Sequence, residues 1–145
     1  MEGRLHLNIL PQPDETTCGP TCLHAVYGYF GDDVPLERLI EDVPRLDEGG
    51  TLAALLGAHA LRRGYDATLY TFDLRTFDPT WFPADPKIVS QKLLAQKEVK
   101  PWPKLQQATD AYLEFLEHGG VIRLEDLTAG LISRHLRKSV PVLTG

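Results

Sequence analysis

From Cys18 to Phe30 the chain is apolar nearly all round: Cys22, Leu23, Ala25, Val26, Tyr27, Tyr29 and Phe30 leave little polar face. A helix of that kind has to be buried in the middle of a domain, and the other elements must pack around it. The stretch before it, Pro11-Gln12-Pro13-Asp14-Glu15-Thr16-Thr17, is turn-rich, with Thr16 and Thr17 as candidate caps, and Gly31 ends the helix. Cys18 therefore stands where a loop becomes a helix. The positive end of the helix faces its sulfur and favours the thiolate, which is the nucleophilic form. Gln12 precedes Cys18 by six positions, on a loop able to fold back. Its side-chain amide offers N–H groups to a developing oxyanion.

Gln12, Cys18-Gly19 and Cys22-Leu23, at this spacing, resemble the N-terminal motif of papain-fold cysteine peptidases. The closest resemblance is to the bacteriocin-processing branch, whose members cut leader peptides after a double glycine. Glu48-Gly49-Gly50-Thr51, Thr76-Phe77-Asp78-Pro79-Thr80-Trp81-Phe82 and Lys138-Ser139-Val140-Pro141-Val142-Leu143 also resemble a bacterial subgroup of these relatives. The resemblance implies an α+β, papain-like fold acting on a peptide or protein substrate, with no metal or organic cofactor. Cys18 would be the nucleophile and Gln12 would complete the oxyanion hole. Relatives often carry an acid just before the Cys, where Thr17 stands here.

Such a site also needs a His as base and an Asp or Asn to orient it. In the relatives the His opens a strand in a Gly-His-x-hydrophobic run, and no such run occurs in this sequence. The expectation is a single, partial domain over residues 1–145: mainly the helical half, with a few strands and an incomplete C-terminal β half. The His and Asp are then expected beyond Gly145, and the 145-residue chain by itself is expected to be inactive. Two rival readings keep the fold. One is a relative that holds a peptide without cutting it; the other is an acyl transferase, which begins with the same nucleophile.

Composition narrows the partners. Hydrophobic residues make up 43% and charged residues 24% of 145 residues, an ordinary globular balance. The formal net charge of −5 argues against nucleic acid or an anionic membrane surface as partner. No apolar run approaches the roughly 20 residues of a membrane span. Met1 to His6 shows no charged segment leading into an apolar one, so no signal peptide is read and the cytoplasm is the expected compartment. Cys18 and Cys22 are then expected as thiols. A zinc site built on the pair lacks a second pair of ligands, and a disulfide within one helical turn would be strained.

Along the rest of the chain, Leu5 to Leu10 reads as a short extended segment. Pro35 starts a short helix through Leu36, Leu39 and Ile40. Thr51 caps a helix from Leu52 to Arg63, closed by Gly64 in a left-handed conformation. Tyr65 to Phe72 alternates as a strand. Asp73 to Pro86 is a long aromatic and Pro-rich loop, a candidate lid carrying Phe77, Trp81 and Phe82. Helices are predicted over Lys87–Gln96, Lys104–His118 and Glu125–Arg137, with a short extended piece at Val121–Leu124 and a final strand at Ser139–Thr144. That strand would leave an unpaired edge, so the expectation is a truncated chain, a cleaved product, or a homo-oligomer in which chains pair through it. Of the five histidines, His24 lies six residues past Cys18 on one helix, about 240° round from it. His6, His59, His118 and His135 stand in contexts that suit a strand, an apolar helix and two helix ends.

Overall fold

The computed structural model describes residues 5, 7, 9–11, 17–46, 52–82 and 85–144. Gln12, Asp14, Glu15, Thr16, His6 and the Gly49-Gly50-Thr51 turn lie outside the described residues. The described residues form an α+β arrangement, rich in helix with a two-stranded sheet. They group into two compact units, one running to Leu56 and resuming at Leu127, the other spanning Gly57–Asp126.

The first unit holds α1 (Cys18–Tyr29), α2 (Leu36–Asp42) and α6 (Ala129–Leu136). Thr21 fixes the start of α1: its backbone N–H and its hydroxyl both donate to the carbonyl of Thr17, at 3.1 and 2.7 Å. Gly31, with φ of +75°, stops the helix by turning left-handed. α1 packs against α2, and Leu23, Ala25, Tyr27, Leu36, Leu39 and Val43 are buried. The all-round burial expected of α1 is only part of the outcome. Cys18, Gly28 and Phe30 are exposed, and Cys22, His24, Val26 and Tyr29 are half-buried.

The chain enters the second unit within α3 (Ala53–Arg62). Gly64, with φ of +92°, closes α3 as its position after Arg63 predicts. There follow β1 (Thr68–Thr71), a 3₁₀ turn at Pro79–Trp81, α4 (Pro86–Val99), α5 (Pro103–Glu117) and β2 (Val121–Leu124). β1 and β2 pair in parallel, Thr68 opposite Val121 through Thr71 opposite Leu124. Parallel neighbours need a long crossover, and α4 and α5 provide it. These two helices pack on each other, burying Val89, Leu93, Ala111, Phe115 and Leu116. Lys97 Nζ meets Asp110 Oδ1 at 2.5 Å between them, and Arg62 meets Glu114 Oε1 at 2.6 Å between α3 and α5.

Phe115 shows why two glycines stand where they do. A Cβ on Gly57 would lie 2.5 Å from the Phe115 ring, and a Cβ on Gly120 would collide with the other edge of the same ring. The stretch read as an aromatic loop is better ordered than expected. Asp78 caps its 3₁₀ turn by accepting from the Thr80 N–H at 2.9 Å and the Thr80 hydroxyl at 2.8 Å. These donors hold the Asp78 carboxyl below its ordinary value. Phe77 is fully buried and meets Trp81, Phe82 and Tyr112 edge-on, with ring centroids 6.5, 6.0 and 4.7 Å away.

The end of the chain departs from expectation. Ser139–Thr144 forms no strand among the described residues. Val140 N–H donates to the His135 carbonyl and Ser139 takes φ of +59°, so the chain closes off α6 instead of extending. Pro141 also lacks the N–H that a ladder needs. The strand edge through which chains were expected to pair is therefore absent from these residues.

Candidate active site

Cys18 is the first residue of α1 and is exposed. The neighbours that follow it, Gly19, Pro20 and Thr21, are buried. The thiol thus sits at the surface end of a helix whose next turn is anchored. The two Thr21 bonds to the Thr17 carbonyl set the direction in which that first turn leaves the loop. Pro20 has no N–H to leave unpaired. Neither the Cys18 nor the Gly19 N–H donates to another backbone group among the described residues. Backbone amides at a helix start are donors suited to a negative oxygen. No acid stands in the first turn of α1.

Thr17 occupies the cap position, but its side chain makes no capping hydrogen bond to the helix. Of the two residues proposed for the site, Cys18 is placed by the structure and Gln12 lies outside the described residues. Cys22, one turn on from Cys18, is half-buried where a core position was expected, and both cysteines are free thiols. His24 is half-buried, and its Nδ1 is enclosed without a hydrogen-bond partner among the described residues. Its position about 240° round α1 keeps it off the Cys18 side. His135 Nδ1 lies 2.9 Å from the Leu131 carbonyl, one turn back on α6. His59 is buried within α3, and His118 ends α5.

Sequence reasoning passed over two features of this helix. One is the enclosed His24 Nδ1, for which a lone His among apolar neighbours is the signal. The other is the second bond of Thr21 to Thr17, foreshadowed by a Thr four residues after a Thr. Among the described residues no group of three or more His, Cys, Asp or Glu stands together to hold a metal. No helix there is long and apolar enough to cross a membrane.

No curated protein and no solved structure matches the chain. The family model for the peptidase C39 family does match it, over residues 6–93. The matched segment takes in the Cys18 helix, α2, α3 and β1 and ends inside α4. A matched segment longer than half of the 145 residues, headed by an exposed cysteine at the start of a helix in an α+β fold, settles the family: the chain is a cysteine peptidase-like domain and belongs to the peptidase C39 family.

Proposed function

We propose that this domain cleaves a peptide bond with Cys18 as nucleophile and Gln12 as oxyanion donor. The observation that carries the reading is the exposed thiol on the first residue of α1, beside backbone amides that no described backbone group occupies. Cys18 Sγ adds to the scissile carbonyl carbon, and the carbonyl π electrons move to oxygen. The Cys18 N–H and the Gln12 amide hold that oxyanion. Collapse re-forms the carbonyl and breaks the C–N bond, and the departing amine takes a proton from the base. Water then attacks the thioester, releasing the acid and restoring the thiol. The reading assigns the base and its orienting acid to a His and an Asp outside residues 1–145.

The experiment is to treat the protein with a peptide whose C-terminal double glycine ends in a fluoromethyl ketone, and to map the adduct by mass spectrometry. A single adduct at Cys18 is expected. In a chain that also carries the His and Asp, Gln12→Ala should slow cleavage of the matching amide substrate by about 10²–10³-fold, the usual effect of removing one oxyanion donor. Equal labelling of Cys18 and Cys22, or labelling indifferent to the peptide portion, overturns the reading.

A second reading is favoured by one observation: Cys18 makes no side-chain hydrogen bond or ion pair among the described residues. A domain that holds a peptide without cutting it needs no partner for the sulfur. Peptide affinity unchanged after alkylation of Cys18 marks this reading, and affinity abolished by it marks the first.

A further inference from the structure

Cys18 and Cys22 are the two cysteines of the chain, and α1 carries both as free thiols. Four residues along an α-helix make about 400° of turn, so the two side chains stand about 40° apart on one face. At roughly 1.5 Å of rise per residue their Cα atoms lie about 6 Å apart, inside the range a disulfide bridges. Cβ atoms at this spacing are about 5–6 Å apart, against about 4 Å in a disulfide. A bond between the two sulfurs therefore asks the first turn to tighten by about 1–2 Å.

The start of α1 can give by that much. Cys18 is the first helical residue and is exposed, so no turn lies before it to be disturbed. The Thr17 side chain makes no capping bond that would hold the turn rigid. Gly19 joins Cys18 to Pro20 and Thr21, all three of them buried. Without a Cβ, Gly19 can change φ and ψ where another residue would clash. Cys18 can thus swing about Gly19 toward Cys22 while Pro20 and Thr21 keep their buried places. Exposure also sets the order of events. Exposed Cys18 meets a solute oxidant first, and half-buried Cys22 stands one turn behind it.

We propose that Cys18 and Cys22 form a reversible redox site for hydrogen peroxide, in which Cys18 is oxidised first and Cys22 resolves it into a disulfide within α1. Cys18 Sγ attacks one peroxide oxygen. The S–O bond forms, the O–O bond breaks, and the departing oxygen leaves as water with the thiol proton. Cys18 is then a sulfenic acid. Cys22 Sγ attacks the Cys18 sulfur, the S–S bond forms, and the S–O bond breaks. The oxygen leaves as a second water with the Cys22 proton. Two thiols have become a disulfide, and the peroxide has been reduced to water. The strain of a bridge inside one helical turn leaves that bond easy to reduce, so a dithiol restores both cysteines. Without Cys22, further peroxide would carry Cys18 on to the sulfinic acid, which thiols do not reverse. The thiol chemistry stands apart from peptide cleavage. Its consequence, a site closed while peroxide is present, rests on the reading of Cys18 as nucleophile.

Hydrogen peroxide treatment of the full chain, read by intact mass after alkylation, tests this. The oxidised chain is expected to lose two hydrogens, to run as a single chain on a non-reducing gel and to take up no alkylating reagent. Dithiothreitol should return both thiols. In Cys22→Ser the sulfenic acid has no partner, and its trapping by dimedone at Cys18 should rise about tenfold over the starting chain. Cys22→Ala should do the same, which separates the missing thiol from any effect of serine on the helix. A starting chain that stays fully alkylatable, that gains oxygen at Cys18 while Cys22 remains a thiol, or whose disulfide joins two chains overturns the proposal. Each of these is read on the unaltered chain and needs no variant to fold. Equal dimedone trapping with and without Cys22 overturns it as well. The peptide ketone keeps the two proposals apart. Labelling of Cys18 in the reduced chain with no disulfide after peroxide strikes this inference alone, and a disulfide without such labelling strikes the cleavage reading alone.

Discussion

The two units handle their most telling side chains in opposite ways. In the first, the residue proposed as nucleophile is exposed: Cys18 lies at the start of α1 while Gly19, Pro20 and Thr21 behind it are buried. In the second, the most telling residues are enclosed. Phe115 is gripped between Gly57 and Gly120, and Phe77 sits at the centre of a group of rings. A nucleophile has to be reached by its substrate, so it cannot be sealed in a core. An aromatic anchor has to be sealed, because its stabilising effect comes from the area it removes from water. Substitutions in the two places should therefore show in different measurements.

The widest separation is expected at Cys18. In a chain that also carries the His and Asp, Cys18→Ser should lower peptide cleavage by at least about 10³-fold while leaving stability within about 0.5 kcal/mol, because the side chain is exposed. Cleavage assays and thermal unfolding on one preparation would break the comparison if both fell together. Phe115→Ala should do the reverse and cost about 3–5 kcal/mol in denaturant unfolding. Gly57→Ala, which pushes a methyl group into the same ring, should cost about 1–3 kcal/mol. A Gly57→Ala/Phe115→Leu double variant that recovers part of that loss would tie both effects to one contact.

A smaller effect belongs to the first unit. Thr128 caps α6 by accepting from the Leu131 N–H at 3.1 Å, and Thr128→Ala should cost about 1 kcal/mol. The smallest is a pH dependence in the second unit. Burial, and after it the negative charge of Asp73, push the Tyr112 phenol above its ordinary value of 10.0, with the Thr71 hydroxyl opposing them. Above that value the unfolded chain loses the Tyr112 proton while the folded chain keeps it. Stability from this group is thus complete below about pH 10 and declines as pH rises through the folded-state value. Tyr112→Phe should flatten the decline in unfolding curves measured above that pH, and an unchanged slope would remove Tyr112 from the account.

Where the sequence was legible, a backbone constraint stood behind the signal. Gly31, Gly64 and Gly119 all take positive φ just past a helix, because the chain must turn left-handed there and only glycine does so without strain. The turn-rich stretch before Cys18 put the start of a helix at that residue, and α1 begins there. The misses arose where two signals competed. Glu125 and Asp126 look like the acidic first turn of a helix, yet α6 begins at Ala129 because Thr128 provides the capping oxygen. Val140, Val142 and Leu143 have strand composition, but the Ser139 and Val140 N–H groups turn back to the Leu136 and His135 carbonyls at the end of α6. In the aromatic stretch the reading as a loop passed over the pair Asp78-Pro79, which caps a turn just as Asp85-Pro86 starts α4. The alternating reading of Tyr65–Phe72 overran the strand because β1 extends only as far as β2 can pair with it, over four residues.

The parallel sheet has a consequence for the order in which the chain assembles. Each of its pairs joins residues 53 positions apart, as Thr68 to Val121, whereas α4 and α5 meet across a short connection. Closing a long loop is entropically slow, and close-range contacts form first. During synthesis β1 emerges well before β2 exists, and Leu69 and Tyr70 have no ladder to join until α4 and α5 have been made and brought together. The helix pair then acts as the template that delivers β2 to its waiting neighbour, and a chain stalled between the two strands would carry a bare strand edge into a crowded solution.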